Sequence, residues 1–190
     1  MIKDVQLLSL EKPRFVKPIK MVYNEDGKER IWEVVQASDS VAALIYNVDK
    51  DAFILVRQFR PPIYLRNNDG YTYEMCAGII DKDKSIEEIM IEEISEETGY
   101  KVNVSQLRKI TKFYSAVGFA GSAQMLFFTE VTDSQKTEKG GGVDMEKIDV
   151  IELPVKKMRE FMYDESIVKT SGLLFAFMWF INVYKGEGGC

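Results

Sequence analysis

With 190 residues, 46% of them hydrophobic and 12% aromatic, the chain is long enough to bury one sizeable core and short for two. A formal net charge of −5 argues against nucleic acid or an anionic membrane as partner, because both are bound through a basic surface that displaces counterions. Histidine is absent, which excludes Ser-His and Cys-His nucleophiles and His-ligated zinc; hydrolytic chemistry would have to rest on carboxylates, lysines, tyrosines or a hard metal.

The opening "MIKDVQLLSLEKPRF" carries acidic residues and no uninterrupted apolar run, so export is not expected. Two cysteines, Cys76 and Cys190, outline no disulfide framework and point to a reducing, cytoplasmic compartment. Residues 14–36 alternate around the turn "NEDG" and read as a β-hairpin. "VAALIYNV" and "AFILVRQF", joined by "DKD", form a second hairpin belonging to the main sheet, and "YTYEMCAGII" reads as one further strand ending at Gly78. Ser85, followed three residues later by Glu88, has the form of a capping box, which starts a helix near Ile86; Gly99 stops it. Strands are expected at about 107–115 and 123–131, then a glycine-rich acidic loop over 137–147. "IDVIELP" is a strand ended by Pro154, and helices over about 155–162 and 170–184 close the chain. The run "GLLFAFMWFINVY" is too short to span a bilayer and suits a buried helix. Strands surrounding an internal helix, with helices at the end, predict a mixed sheet covered by helices.

The internal helix poses the chemical question. At 100° per residue, Ile86, Ile89, Met90, Glu93, Glu96 and Glu97 share one face, so an inward apolar stripe turns into carboxylates over its last two turns. Acids on a helix are usually solvated and paired with lysines, but no lysine or arginine lies between Ile86 and Thr98. Buried unpaired carboxylates are costly. A divalent cation such as Mg²⁺, which takes oxygen ligands and links a few carboxylates to substrate phosphates, resolves the conflict and makes Glu93, Glu96 and Glu97 candidate metal ligands. Without histidine the base that activates water should be a carboxylate on a loop able to close, and "GGGVDMEK" offers Asp144 and Glu146.

Read from Gly78, "GIIDKDKSIEEIMIEEISEETGY" resembles the Nudix box, with Gly78, Glu93, Ile94, Glu96, Glu97 and Gly99 on the family's pattern and Tyr100 filling its last place. Two positions depart, Lys84 where the family has Glu and Glu92 where it has Arg. The likeness continues through "WEVV", "LVRQFRPPIY", "YEMCAG", "GGGVDMEKIDVIELP" and "VKTSGLLFAFMWF", and is nearest the UDP-sugar diphosphatase group, with GDP-mannose and ADP-ribose hydrolases next. The resemblance implies an α/β Nudix sandwich of α/β/α layers around a mixed sheet, with residues 1–38 as an N-terminal β-hairpin region for partner and substrate contact and 39–190 as the Nudix domain. It implies a homodimer, Mg²⁺ or Mn²⁺ held by Glu93, Glu96 and Glu97 with the Ala77 carbonyl, and a nucleotide-sugar substrate. Arg60 is implied to contact the diphosphate, with Arg57 of the same segment as a second substrate-binding arginine, and Trp32 to stack on the base. Glu146 is favoured as the catalytic base over Asp144, and Glu97 is expected to be indispensable. The implied reaction gives a nucleoside monophosphate and a sugar phosphate. The rival expectation is a Nudix-fold nucleotide-sugar binder of little or no activity, motivated by Glu92, whose charge stands beside the metal carboxylates; Lys84 could offset it as a swapped pair.

Overall fold

A computed structural model of the chain describes residues 2, 5–8, 11–12, 16–143 and 146–187. The hairpin of β1 (Lys17–Glu25) and β2 (Lys28–Gln36) turns at Asp26 and Gly27, both at positive φ, and forms a two-stranded sheet of its own. Residues 14 and 15 of the expected hairpin lie outside the described residues.

The main sheet is built from β3 (Ser40–Asn47), β4 (Ala52–Phe59), β5 (Tyr71–Glu74), β6 (Cys76–Ile79), β7 (Arg108–Ser115), β8 (Ser122–Val131) and β9 (Ile148–Pro154). β3 and β4 are the expected hairpin, but they pair only near their turn, from Ile45↔Ile54 to Asn47↔Ala52. Beyond it they splay. The segment read as one strand, "YTYEMCAGII", enters the wedge and divides at Met75: β5 pairs with β4 through Val56↔Glu74 to Phe59↔Tyr71, and β6 pairs with β3 through Ser40↔Ile79 to Ala43↔Cys76. β8 runs parallel to β3, and β9 closes the far side of β4 antiparallel. The wedge matters for function, because it delivers Glu74, Ala77 and Gly78 to the gap between the splayed strands.

Alternation along β3 and β4 assigns the two faces. Ala42, Leu44, Tyr46, Phe53 and Leu55 pack with α3 (Val155–Tyr163) and α4 (Ser171–Trp179), where Phe53, Phe177 and Phe180 meet ring to ring. Val41, Ala43, Ile45 and Ile54 pack on the opposite face with Ile89, Met90 and Ile94. These last residues belong to α2 (Ile86–Glu93) and to the turn that continues it. The sheet is therefore covered on both sides, as a mixed α/β sandwich requires. Two local features differ from the sequence reading. A short helix, α1 (Pro61–Asn67), follows β4 because Pro61 and Pro62 occupy helix-entry positions, where a missing N–H costs nothing. The last turn of α2, Ile94–Thr98, is π-helical, a widening common at functional sites.

Candidate active site

The capping box forms as the sequence predicts: Glu88 N–H donates to Ser85 Oγ at 3.2 Å while Ser85 N–H donates to Glu88 Oε2 at 2.9 Å. This fixes the helix register, and the register points Ile89 and Met90 into the core and Glu93 and Glu97 toward the end of β6. Gly78 is where the helix meets that strand. A Cβ at position 78 would stand 2.2 Å from Glu93 Cδ, so only glycine lets the Glu93 side chain lie across the strand. One step earlier, Ala77 N–H donates to Glu97 Oε2 at 3.1 Å.

The end of α2 is capped by the glycine-rich loop. Gly99 stops it in the left-handed region, at φ +77. Gly141 N–H donates to the Glu97 carbonyl at 2.8 Å and Gly142 N–H to that of Glu96 at 3.1 Å, satisfying carbonyls that a helix end leaves open. The same loop brings in Glu146, whose carboxylate accepts from Val143 N–H at 3.3 Å.

These residues line one cleft of about 470 Å³, walled by Glu93, Glu96, Glu97, Ala77, Gly78, Arg60 and Glu146 together with Glu74, Gln58, Gln124 and Lys82. The structure thus brings together six of the residues singled out from sequence: Glu93, Glu96, Glu97, Ala77, Arg60 and Glu146. Asp144 lies outside the described residues. Arg57 alternates away from Gln58 on β4, pairs with Asp149 at 3.1 Å and lies over the Tyr71 ring at 3.9 Å, outside the cleft. Trp32 sits on the β1–β2 hairpin, half-exposed, its indole N–H donating to the Gly118 carbonyl at 2.8 Å, and it too is outside the cleft of its own chain. Glu74, Gln58, Gln124 and Lys82 were not anticipated. Glu74 had a readable signal, a carboxylate two residues from Thr72 on the same face of an otherwise apolar strand.

Electrostatics separate the acids. Glu97 is 4% exposed, and burial pushes its carboxyl up to about 8, against the Cys76 thiol and Ala77 N–H bonds that favour the charged form and with Glu93 and Glu146 adding repulsion. Cys76 itself is a buried thiol raised by burial and by the Glu97 charge, a core side chain rather than a nucleophile. Glu93 is raised by burial, partly offset by Lys82, whose ammonium is 3.7 Å from Glu93 Oε1. Across the cleft, Arg60 holds Glu74 in a two-pronged pair, Nε to Oε1 at 2.8 Å and Nη2 to Oε2 at 2.7 Å. Burial alone would raise Glu74; this pair and the Thr72 hydroxyl hold it below the usual carboxylate range.

Among the described residues no three acidic, cysteine or histidine side chains converge on a point as a finished metal shell. The donor set nevertheless fits a hard divalent cation. It is all carboxylate and carbonyl oxygen, its most buried member is destabilised as an anion, and Mg²⁺ completes its shell with water and substrate oxygens. Glu93, Glu96, Glu97 and the Ala77 carbonyl would hold it.

The departures at Lys84 and Glu92 prove to be one contact: Lys84 Nζ bonds Glu92 Oε1, and Lys82 reaches Glu92 Oε2 at 3.4 Å. The pair ties loop to helix, so the lysines absent from the helix are supplied by the preceding loop. Reversing either charge alone, Lys84→Glu or Glu92→Arg, is expected to lower Tm, and the double variant to recover most of that loss in thermal melts.

A sheet wedge that feeds a glycine against a helix ending in three glutamates, capped by a glycine-rich acidic loop, defines a Nudix domain. The chain belongs to this family: the NUDIX domain profile matches residues 37–166. It is similar to uridine diphosphate glucose pyrophosphatase NUDT14 of Bos taurus, with 34% identity over 88% of this chain and 89% of that protein. It is also similar to GDP-mannose pyrophosphatase of Klebsiella pneumoniae subsp. pneumoniae, with 35% identity over 75% of this chain and 76% of that one. Its fold matches the crystal structure of an ADP compounds hydrolase at a TM-score of 0.70 and 16% identity, covering 95% of this chain and 91% of the other. No helix among the described residues is long and apolar enough to cross a membrane.

Proposed function

We propose that this Nudix hydrolase, an enzyme acting on diphosphate bonds, cleaves the diphosphate of a nucleoside diphosphate sugar to a nucleoside monophosphate and a sugar phosphate. The observation that carries the reading is the meeting of Glu93, Glu96, Glu97 and Glu146 with Arg60 in one cleft, an acidic wall for a divalent metal facing a cation for phosphate. Relatives named for UDP-glucose and GDP-mannose over most of the chain's length support the substrate class.

When bound at Glu93, Glu96 and Glu97, Mg²⁺ or Mn²⁺ would neutralise diphosphate charge and lower the pKa of a coordinated water. The protein's own groups do the rest. Arg60, oriented by Glu74, presents positive charge to the diphosphate. Glu146, carried by the glycine-rich loop, accepts the proton of the attacking water, with Asp144 the second choice. Lys82 yields Glu93 to the metal and adds charge to the anionic substrate. The binder alternative rested on an uncompensated Glu92, and that charge is paired with Lys84 and Lys82. Incubation of UDP-glucose, ADP-ribose and GDP-mannose with Mg²⁺ and chromatography of the products tests the reading. Failure to release any nucleoside monophosphate would sink it.

We further propose a cytoplasmic homodimer in which residues 1–38 serve the partner and 39–190 the chemistry. An isolated two-stranded hairpin is marginal in water, yet β1–β2 exposes Ile19, Met21 and Trp32 on one face and Val22 and Ile31 on the other, each about half accessible. A second copy is the occupant that buries this surface and brings Trp32 toward a base. Met21→Asp should shift the protein to monomer in light scattering and raise KM with it; a monomeric parent would refute the dimer.

A further inference from the structure

A second cavity, of about 370 Å³, opens beside the catalytic cleft and shares Glu74, Ala77 and Gln124 with it. Its other walls are Ala42 from β3, Phe113 and Ser115 from β7, Met75 between the wedge strands, and Thr170, Ser171 and Gly172 at the entry of α4. The two compartments differ in charge. The cleft holds Arg60 and Lys82 besides its acids, whereas the annex contains no cation, and its only charged side chain is Glu74. With Glu74 as its charged wall, it is the less favourable of the two compartments for a phosphate.

What it offers is hydrogen bonding in every direction around a small volume: a carboxylate, a carboxamide and three hydroxyls, with the Phe113 ring as an apolar wall. Four of these groups are fixed by neighbours; among them Ser115 Oγ donates to the Ser122 carbonyl at 3.3 Å and Thr170 Oγ1 accepts from Leu173 N–H at 3.4 Å. Glu74 is 8% exposed and locked by Arg60 and Thr72, and Gln124 donates to Ser40 Oγ at 3.1 Å. Gly172 keeps the back wall clear, since a Cβ there would stand 3.1 Å from both Gln124 Oε1 and Phe113 Cζ. Acid, amide and hydroxyl groups around one aromatic face match a ring that is dense in hydroxyls and uncharged. A nucleobase would instead ask for two flat walls and a few edge contacts.

We infer that this annex is the subsite for the glycosyl half of the substrate, the diphosphate lying in the cleft and the sugar ring passing Glu74 and Gln124 into the space under α4. The inference rests on the nucleotide-sugar reading, but its test does not require turnover. Ser171→Leu and Ser115→Leu fill the annex from opposite walls and leave Glu93, Glu96, Glu97, Glu146 and Arg60 intact. Binding of glucose 1-phosphate, mannose 1-phosphate, ribose 5-phosphate and the nucleoside monophosphates UMP, GMP and AMP is measured by calorimetry with Mg²⁺ present, for the parent and both variants, with circular dichroism to confirm folding. The expected result is a loss of about ten-fold or more in affinity for the sugar phosphate that the parent binds best, with the nucleoside monophosphates unaffected. Weakening of the nucleoside monophosphates alone would make the annex a base subsite and overturn the inference. No change for either class, or a parent that binds no sugar phosphate, would overturn it too. Turnover of the parent is scored separately, so an inactive protein that still binds sugar phosphate in the annex would overturn the enzymatic reading only.

Discussion

Replacing Glu97 with Gln should abolish Mg²⁺-dependent turnover while leaving the metal-free protein at least as stable as the parent near neutral pH. The two halves of this expectation have one cause. Glu97 is the most buried acid of the cleft, with its carboxyl pushed up to about 8 by desolvation. In the unfolded chain the same group titrates near its ordinary value of 4.5. Between those values the folded state holds a proton that the unfolded state has released, so the metal-free protein loses stability as pH rises from about 4.5 to about 8. Gln cannot ionise, and the variant should show a flatter dependence of Tm on pH in EDTA across that window. For catalysis the loss is of a proposed direct metal ligand. Even outer partners of metal ligands typically matter by about 10–100-fold, so a fall in kcat/KM of at least about 100-fold is expected. Metal binding must also release the Glu97 proton, so Mg²⁺ should raise the parent's Tm more at pH 8 than at pH 6. A Glu97→Gln protein with near-parental turnover would remove Glu97 from the mechanism.

Gly99→Ala should be the most destabilising single change in the site region, with a loss of about 3–5 kcal/mol and a Tm lower by about 10 °C. Gly99 ends the acidic helix at φ +77, and positive φ alone costs an alanine roughly 1–2 kcal/mol. The added Cβ would also stand 2.1 Å from the Glu138 carbonyl oxygen and 2.9 Å from Gly140 N, both backbone atoms that cannot rotate away. Relief requires moving the loop that caps Glu96 and Glu97 and carries Glu146, so activity should fall with stability. Gly27→Ala is the internal control. Its φ is +78, but nothing lies within 4 Å of a Cβ there, so it should show the backbone cost without the clash. Equal effects in denaturant melts of the two variants would refute this account.

The acidic helix was legible because its signals are local. Ser85 and Glu88 set where it starts, 3.6-residue periodicity carries Ile89 and Met90 inward and Glu93 and Glu97 after them, and Gly99 ends it. The π turn was not foreseen; in the structure its carbonyls at Glu96 and Glu97 are taken by the loop amides of Gly142 and Gly141. The pairing of Glu92 with Lys84 was within reach only as a swap of charges, because eight residues of separation bridged by a loop fix no distance. Arg57 and Arg60 looked alike as arginines at the end of one strand. The sheet distinguished them, since β9 places Asp149 opposite Arg57 while the turn into α1 releases Arg60 to meet Glu74.

By itself the sequence determined most of the elements, the acidic end of the helix, Gly99 as the residue that stops it, and the resemblance to the family. Helix start, helix stop and periodicity depend on neighbours a few positions away, where bond geometry and hydrophobic spacing leave little freedom. Only the tertiary structure decided that β3 and β4 splay, that one apparent strand divides at Met75 to fill the gap, and that Glu74, Gln124 and Lys82 therefore face the same cleft as the helix acids. Such meetings depend on sheet twist and on contacts between residues dozens of positions apart. Their free energy comes from the packed whole and is written in no single stretch of chain.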